Sequence, residues 1–189
     1  MHRRSFVKAI AAALPASGLH DILAAQTDLR KVAPAVPPVL HIVPAGQDRF
    51  GQAHTMGFSS LLFKVSTGET GGGLFLIEHT HLLPGGPALH LHLYQEEWFY
   101  VMEGKVAFQV GEQRLELNPG ESVLAPRRVP HTFSSVSAGP SRMMIAFCPA
   151  GKMEKYFRDA ADPKTPQGEA EYLRHYDMEL IGPSPFWKT

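Results

Sequence analysis

Cysteine is nearly absent, since Cys148 stands alone among 189 residues. One thiol excludes an internal disulfide framework and any multi-cysteine metal site. An excess of either charge is also missing: 18 basic residues face 18 acidic ones. That balance offers no electrostatic footprint for nucleic acid or anionic lipid, so a partner must be argued from a site, and a small molecule is expected. Long hydrophobic runs are lacking. The apolar stretch near the N-terminus, Ala9 to Leu14, falls far short of the roughly 20 residues that span a bilayer, and Pro15, Gly18 and Asp21 interrupt its extension. No permanent membrane span is expected. Nucleotide-binding GxGxxG and P-loop signatures, the HExxH zinc helix and the serine-hydrolase elbow are absent as well.

What the chain does have is ample core material, 44% hydrophobic, punctuated by 17 glycines and 16 prolines. The length suits one main domain with modest extensions, and the punctuation disfavours long helices. The first residues stand apart. Positive charge in His2-Arg3-Arg4-Ser5-Phe6-Val7-Lys8 precedes the short apolar run, and the small residues Ala24 and Ala25 come before Gln26. Residues 1–25 thus resemble a twin-arginine export signal, which implies the export machinery as a partner, a periplasmic or otherwise exported product, and cargo that folds with its cofactor before export. Removing Arg3, Arg4, Lys8 and Asp21 leaves the remainder mildly acidic. The alternative is an alanine-rich amphipathic helix at the start of a cytoplasmic protein.

Residues 26–55, with Pro34, Pro37, Pro38 and Pro44, read as an extended arm that packs along the domain or a second subunit, the basis for expecting a homodimer. From 56 to 149 short strand patterns alternate with turns. They cover Ser59 to Val65, Leu74 to Leu83, Trp98 to Met102, Val106 to Val110, Gln113 to Leu117, Ser122 to Ala125, His131 to Val136 and Arg142 to Cys148. The turns between them are tight and no crossover helices intervene, so the fold class is all-β. Residues 150–189 form a C-terminal extension with helices expected at Lys152 to Arg158 and Ala170 to Tyr176.

Histidine carries the chemistry. Five of ten fall between His79 and His131. On a strand, residues two apart share a face, so His90 and His92 present two imidazoles to one cavity. Glu97 can add an oxygen and His131 a third imidazole, a mixed N/O set suited to one divalent transition metal, Mn, Fe, Co, Ni, Cu or Zn, rather than calcium. The alternative is a polar surface pair with unrelated downstream residues. His79 and His81, on the strand before, either face the same cavity beside Phe75 and Ile77 or are ordinary strand histidines. Arg127 and Arg128 either attract an anionic substrate or lie solvated on a turn. Phe63, Phe75, Phe99, Phe108, Phe133 and Phe147 suit either an apolar pocket or a β core. Cys148, at a strand end beside Pro149, is expected to be buried packing.

Two segments give a family resemblance. Pro87 to Gly104, with His90-Leu91-His92, Glu97 and an aromatic strand, resembles the first cupin motif, and Gly120 to His131 resembles the second. Together they cover residues 84–135 and imply a single-domain cupin, a double-stranded β-helix or jelly-roll barrel, with His90, His92, Glu97 and His131 as metal ligands. Three departures stand out: Pro84 occupies the usual place of a glycine before the first motif, Arg128 replaces the turn glycine of the second, and Ser135 replaces its asparagine. The family permits either Glu96 or Glu97 as the ligand. Glu97 is chosen because six residues then separate it from Gly104, and because period two puts Glu97, Phe99 and Val101 on one face with Trp98 and Tyr100 on the other. Glu96 is left to the rim.

Within cupins the chain is most similar to quercetin dioxygenase-type proteins, a resemblance that includes Phe147 to Phe157 after the last barrel strand. It implies a metal-dependent dioxygenase acting on a flavonol-like or small enolisable substrate, with Glu97 catalytic as ligand or proton acceptor and dioxygen as co-substrate. Two other classes remain: a non-oxidative metal-dependent lyase or isomerase of a small acid or sugar, and a non-catalytic ligand-binding cupin.

Overall fold

A computed structural model describes residues 41–187 of the chain. The export signal read at 1–25 and the arm as far as residue 40 lie outside the described residues. Among the described residues, eleven strands build two antiparallel sheets. They are β1 (His54–Met56), β2 (Ser59–Val65), β3 (Phe75–Leu82), β4 (Leu89–His92), β5 (Glu96–Glu103), β6 (Val106–Val110), β7 (Gln113–Leu117), β8 (Ser122–Ala125), β9 (His131–Ser135), β10 (Ser141–Cys148) and β11 (Met178–Gly182). One sheet runs β1-β2-β3-β10-β5-β8 and the other β11-β4-β9-β6-β7. The fold is all-β, as expected from the strand pattern, and a jelly roll, as the family resemblance implies. Helices α1 (Met153–Ala160) and α2 (Ala170–His175) follow the barrel. Among the described residues no helix is long and apolar enough to cross a membrane.

Period two explains the barrel core. In β5, Glu97, Phe99 and Val101 are buried while Trp98 is exposed and Tyr100 half-buried, and in β10 Met143, Ile145 and Phe147 point inward in the same way. Register aligns these rows: Phe147 opposes both Phe75 and Glu97, and Ile145 opposes both Ile77 and Phe99. All six phenylalanines of uncertain role are buried. Phe99 meets Phe108 edge-on with ring centroids 5.1 Å apart and Phe133 at 5.5 Å, the geometry favoured by the aromatic quadrupole. They are core, and Phe133 and Phe147 also line the cavity described below.

Two features differ from the sequence reading. The C-terminal extension holds a strand as well as helices: β11 pairs with β4, placing Met178 opposite His92 and Leu180 opposite His90. Cys148 is exposed rather than buried. Its neighbour Phe147 takes the inward position, so alternation turns the thiol outward.

Candidate metal centre

The first turn of the site is set by Gly86. Its φ is 73°, and a β-carbon there would lie 1.7 Å from the Phe133 carbonyl oxygen. Only glycine lets the chain pass β9 this closely before entering β4. Gly86 thereby supplies the bend although Pro84 occupies the usual glycine position. The second turn, leading into β9, is tied differently. Arg128 takes a φ of 63°, unusual for a residue with a β-carbon, and its N–H donates to the His92 carbonyl at 2.7 Å. Glu96, directed outward, accepts from the Arg127 backbone N–H and from its guanidinium, both at 2.6 Å. Glu96 therefore clamps the turn and Arg127 is engaged with it.

Glu97 points inward and is buried with His90, His92 and His131. One ligand atom from each of the four lies within 4.8 Å of the others. The two histidine strands, β4 and β9, belong to one sheet, with His90 opposite His131, whereas Glu97 comes from β5 of the other. The cluster therefore exists only when the two sheets close on each other.

Hydrogen bonding assigns the ring nitrogens. His90 Nδ1 sits 2.8 Å from the Ala88 carbonyl and His131 Nδ1 sits 2.9 Å from the Val129 carbonyl. Carbonyls only accept, so both Nδ1 atoms carry a proton and both rings turn Nε2 inward. His131 Nε2 then lies 2.8 Å from Glu97 Oε2, two atoms too close to stand as bare lone pairs. A cation, proton or metal, must hold them together. His92 Nε2 lies 3.0 Å from the same oxygen without hydrogen-bond geometry, and both His92 nitrogens are buried with no hydrogen-bond partner. Donors bound cis to one transition ion at roughly 2.0–2.2 Å each lie about 3 Å apart. The orphaned nitrogens, donor types and spacing all fit a divalent metal.

Electrostatics agree with that use. Burial pushes His90 down to about 3, with repulsion from His131 and His92 adding to the shift. His92 is lowered mainly by burial. Burial alone would raise the Glu97 carboxyl, but the adjacent His131 and His92 rings outweigh it and hold Glu97 well below the usual carboxylate range. His90 and His92 are thus biased to the neutral imidazole and Glu97 to the carboxylate, the forms that bind metal.

The cluster opens into a cavity of about 200 Å³ between the sheets. Its wall includes Met56, Phe58, Phe133 and Phe147 from the barrel, with Met153, Tyr156 and Phe157 of α1 and Trp187 beyond β11. Trp187 Nε1 donates to the Gly86 carbonyl at 3.2 Å, which ties the end of the described chain to the first turn. His79, on β3, faces the same cavity, while His81 is exposed. The part played by α1, β11 and Trp187 was missed in the sequence; the apolar spacing of Met153, Tyr156, Phe157 and Ala160 is the signal that marks α1 as a packed wall.

Residues 78–147 match the family model described as the cupin domain. The cupin match extends to quercetin 2,3-dioxygenase of Bacillus subtilis (strain 168), 31% identical over 74 residues, which are 39% of this chain and 21% of that enzyme. The chain thus spans about a fifth of that curated relative. The RmlC-like cupin from Shewanella frigidimarina NCIMB 400 has the same fold, with a TM-score of 0.50 at 19% identity over 61% of this chain and 96% of its own. Pac13, described as a nucleoside dehydratase, gives a TM-score of 0.51 at 9% identity over 76% of this chain and 92% of its own. These two structures agree with the cupin barrel and speak to fold alone.

Proposed function

We propose that the chain is a metal-dependent cupin enzyme, a dioxygenase acting on a flavonol-like or small enolisable substrate. The observation that carries the metal reading is the convergence of one ligand atom from each of His90, His92, Glu97 and His131 within 4.8 Å, beside the unpartnered nitrogens of His92. His90, His92 and His131 would hold the ion, with Glu97 as the fourth ligand or as acceptor of a substrate proton. When bound, a divalent ion supplies Lewis acidity that lowers the cost of forming a substrate anion. Glu97 enters as a carboxylate because its histidine neighbours stabilise the ionised form. Phe58, Phe133 and Phe147 offer flat apolar walls to a ring-bearing substrate and exclude water from the reacting end.

The similarity to quercetin 2,3-dioxygenase supports the oxygen-dependent branch of this reading. The test is oxygen consumption by metal-replete protein given flavonols and simpler enols, alongside product formation with and without air. Substrate-dependent oxygen uptake is the expected result. Turnover that proceeds equally well under nitrogen would move the chain to the non-oxidative lyases and isomerases.

A further inference from the structure

His79 is buried, 1% exposed, on the strand β3 at the centre of its sheet. It continues the inward row of Phe75 and Ile77 and stands opposite Met143 of β10. Its ligand atoms are not among the four donors that converge on the metal site. Phe58 stacks on the ring at 6.4 Å and Phe133 meets it edge-on at 5.7 Å. An imidazole in such a wall needs a reason, because a buried polar group without a partner is costly.

Half of that reason is structural. Nδ1 lies 2.7 Å from Ser59 Oγ, and the Ser59 hydroxyl donates to the Ser60 carbonyl at 3.2 Å. A hydroxyl has one proton, so with that proton committed Ser59 accepts and His79 Nδ1 donates. The neutral ring then leaves its lone pair on Nε2. That atom is buried, has no hydrogen-bond partner, and belongs to a residue lining the cavity that also holds His90, His92 and Glu97. Burial keeps the ring neutral, with its pKa pushed down to about 3 despite the nearby Glu97 charge.

We propose that His79 is a substrate-binding residue whose Nε2 accepts a hydrogen bond from a hydroxyl or N–H that the substrate carries apart from the oxygen directed at the metal cluster. This rests on the metal-dependent enzyme reading and deepens it by restricting the substrate class. An enolisable ligand with a second donor fills the unsatisfied lone pair, whereas one with an ether or hydrogen there leaves a buried acceptor unpaired. A site built to meet a donor discriminates strongly against analogues lacking it.

The experiment uses zinc-loaded protein under nitrogen and two probe pairs, quercetin with 3-hydroxyflavone and catechol with its monomethyl ether. Binding is measured by titration, and side-chain ¹⁵N spectra of histidine-labelled protein follow Nε2 of His79. The donor-rich member of a pair is expected to bind about five- to ten-fold more tightly and to shift the His79 Nε2 resonance. His79→Phe and His79→Asn remove the preference; His79→Gln, which can place an amide oxygen near the Nε2 position, retains part of it. Thermal melts and zinc content identify variants that keep fold and metal. An unchanged preference in folded His79→Phe or His79→Asn overturns the proposal, as does failure of every probe to move the Nε2 signal. A His79-dependent preference without oxygen uptake in air supports the binding role and removes the dioxygenase reading alone.

Discussion

Glu97 and His131 set the residue-scale chemistry. Their 2.8 Å contact means that, without metal, a proton sits between them. Metal uptake near pH 7 should therefore release about one proton per ion, measured as buffer-dependent heat in calorimetry. No proton release would contradict the assigned ring states. Acid stability follows from the same burial. His79 and His90 titrate near 6.5 in the unfolded chain but near 3 in the folded one. Between those values the unfolded chain binds more protons, so stability rises with pH and is lost on acidification. The slope is roughly 1.4 kcal/mol per pH unit for each ring. Glu97, also lowered, adds loss in the same direction as pH falls through its range. Urea midpoints of metal-free protein should fall steadily from pH 7 to 4; a flat profile would show that the rings are not buried as described. The choice of Glu97 over Glu96 was legible because alternation within β5 decides which carboxylate turns inward. The unpaired Nε2 of His79 was not legible, because its tautomer depends on Ser59, a partner brought beside it only by pairing of β2 with β3.

At the scale of elements, eight strand patterns and two helices could be read from turn residues and period. β11 could not: five residues after a helix, with both faces mixed, carry too little pattern to separate strand from loop. Its value lies in the contact with β4, which it pairs along the strand that bears His90 and His92. Met178, 1% exposed, anchors it. Met178→Ala should lower stability by about 2–4 kcal/mol and weaken metal affinity with it, seen in urea unfolding and metal titration. A stability loss with unchanged affinity would show that β11 does not help position the histidines. Arg128 presents the opposite case. Its left-handed backbone replaces the usual glycine at a small strain, so Arg128→Gly should stabilise the fold by roughly 0.5–1 kcal/mol, provided the hydrogen bond to the His92 carbonyl persists. Destabilisation would mean that the arginine side chain itself holds the turn.

For the whole molecule, the neutral charge balance hides a basic front and a mildly acidic remainder. Export through the twin-arginine route is our reading of that front. Replacing Arg3 and Arg4 with lysine should retain the protein in the cytoplasm, as shown by cell fractionation; unchanged export would require another address. Folding before export suits a site whose ligands come from two sheets and meet only in the closed barrel. The central claim is that His90, His92, Glu97 and His131 hold one divalent ion. The measurement that tests it most directly is metal content per chain in natively produced, untagged protein, compared with His92→Ala and Glu97→Gln variants whose folding is verified by circular dichroism. The account predicts about one ion per wild-type chain and loss of most of it in His92→Ala, with at least a ten-fold weaker affinity in Glu97→Gln. Unchanged stoichiometry and affinity in both folded variants would contradict it.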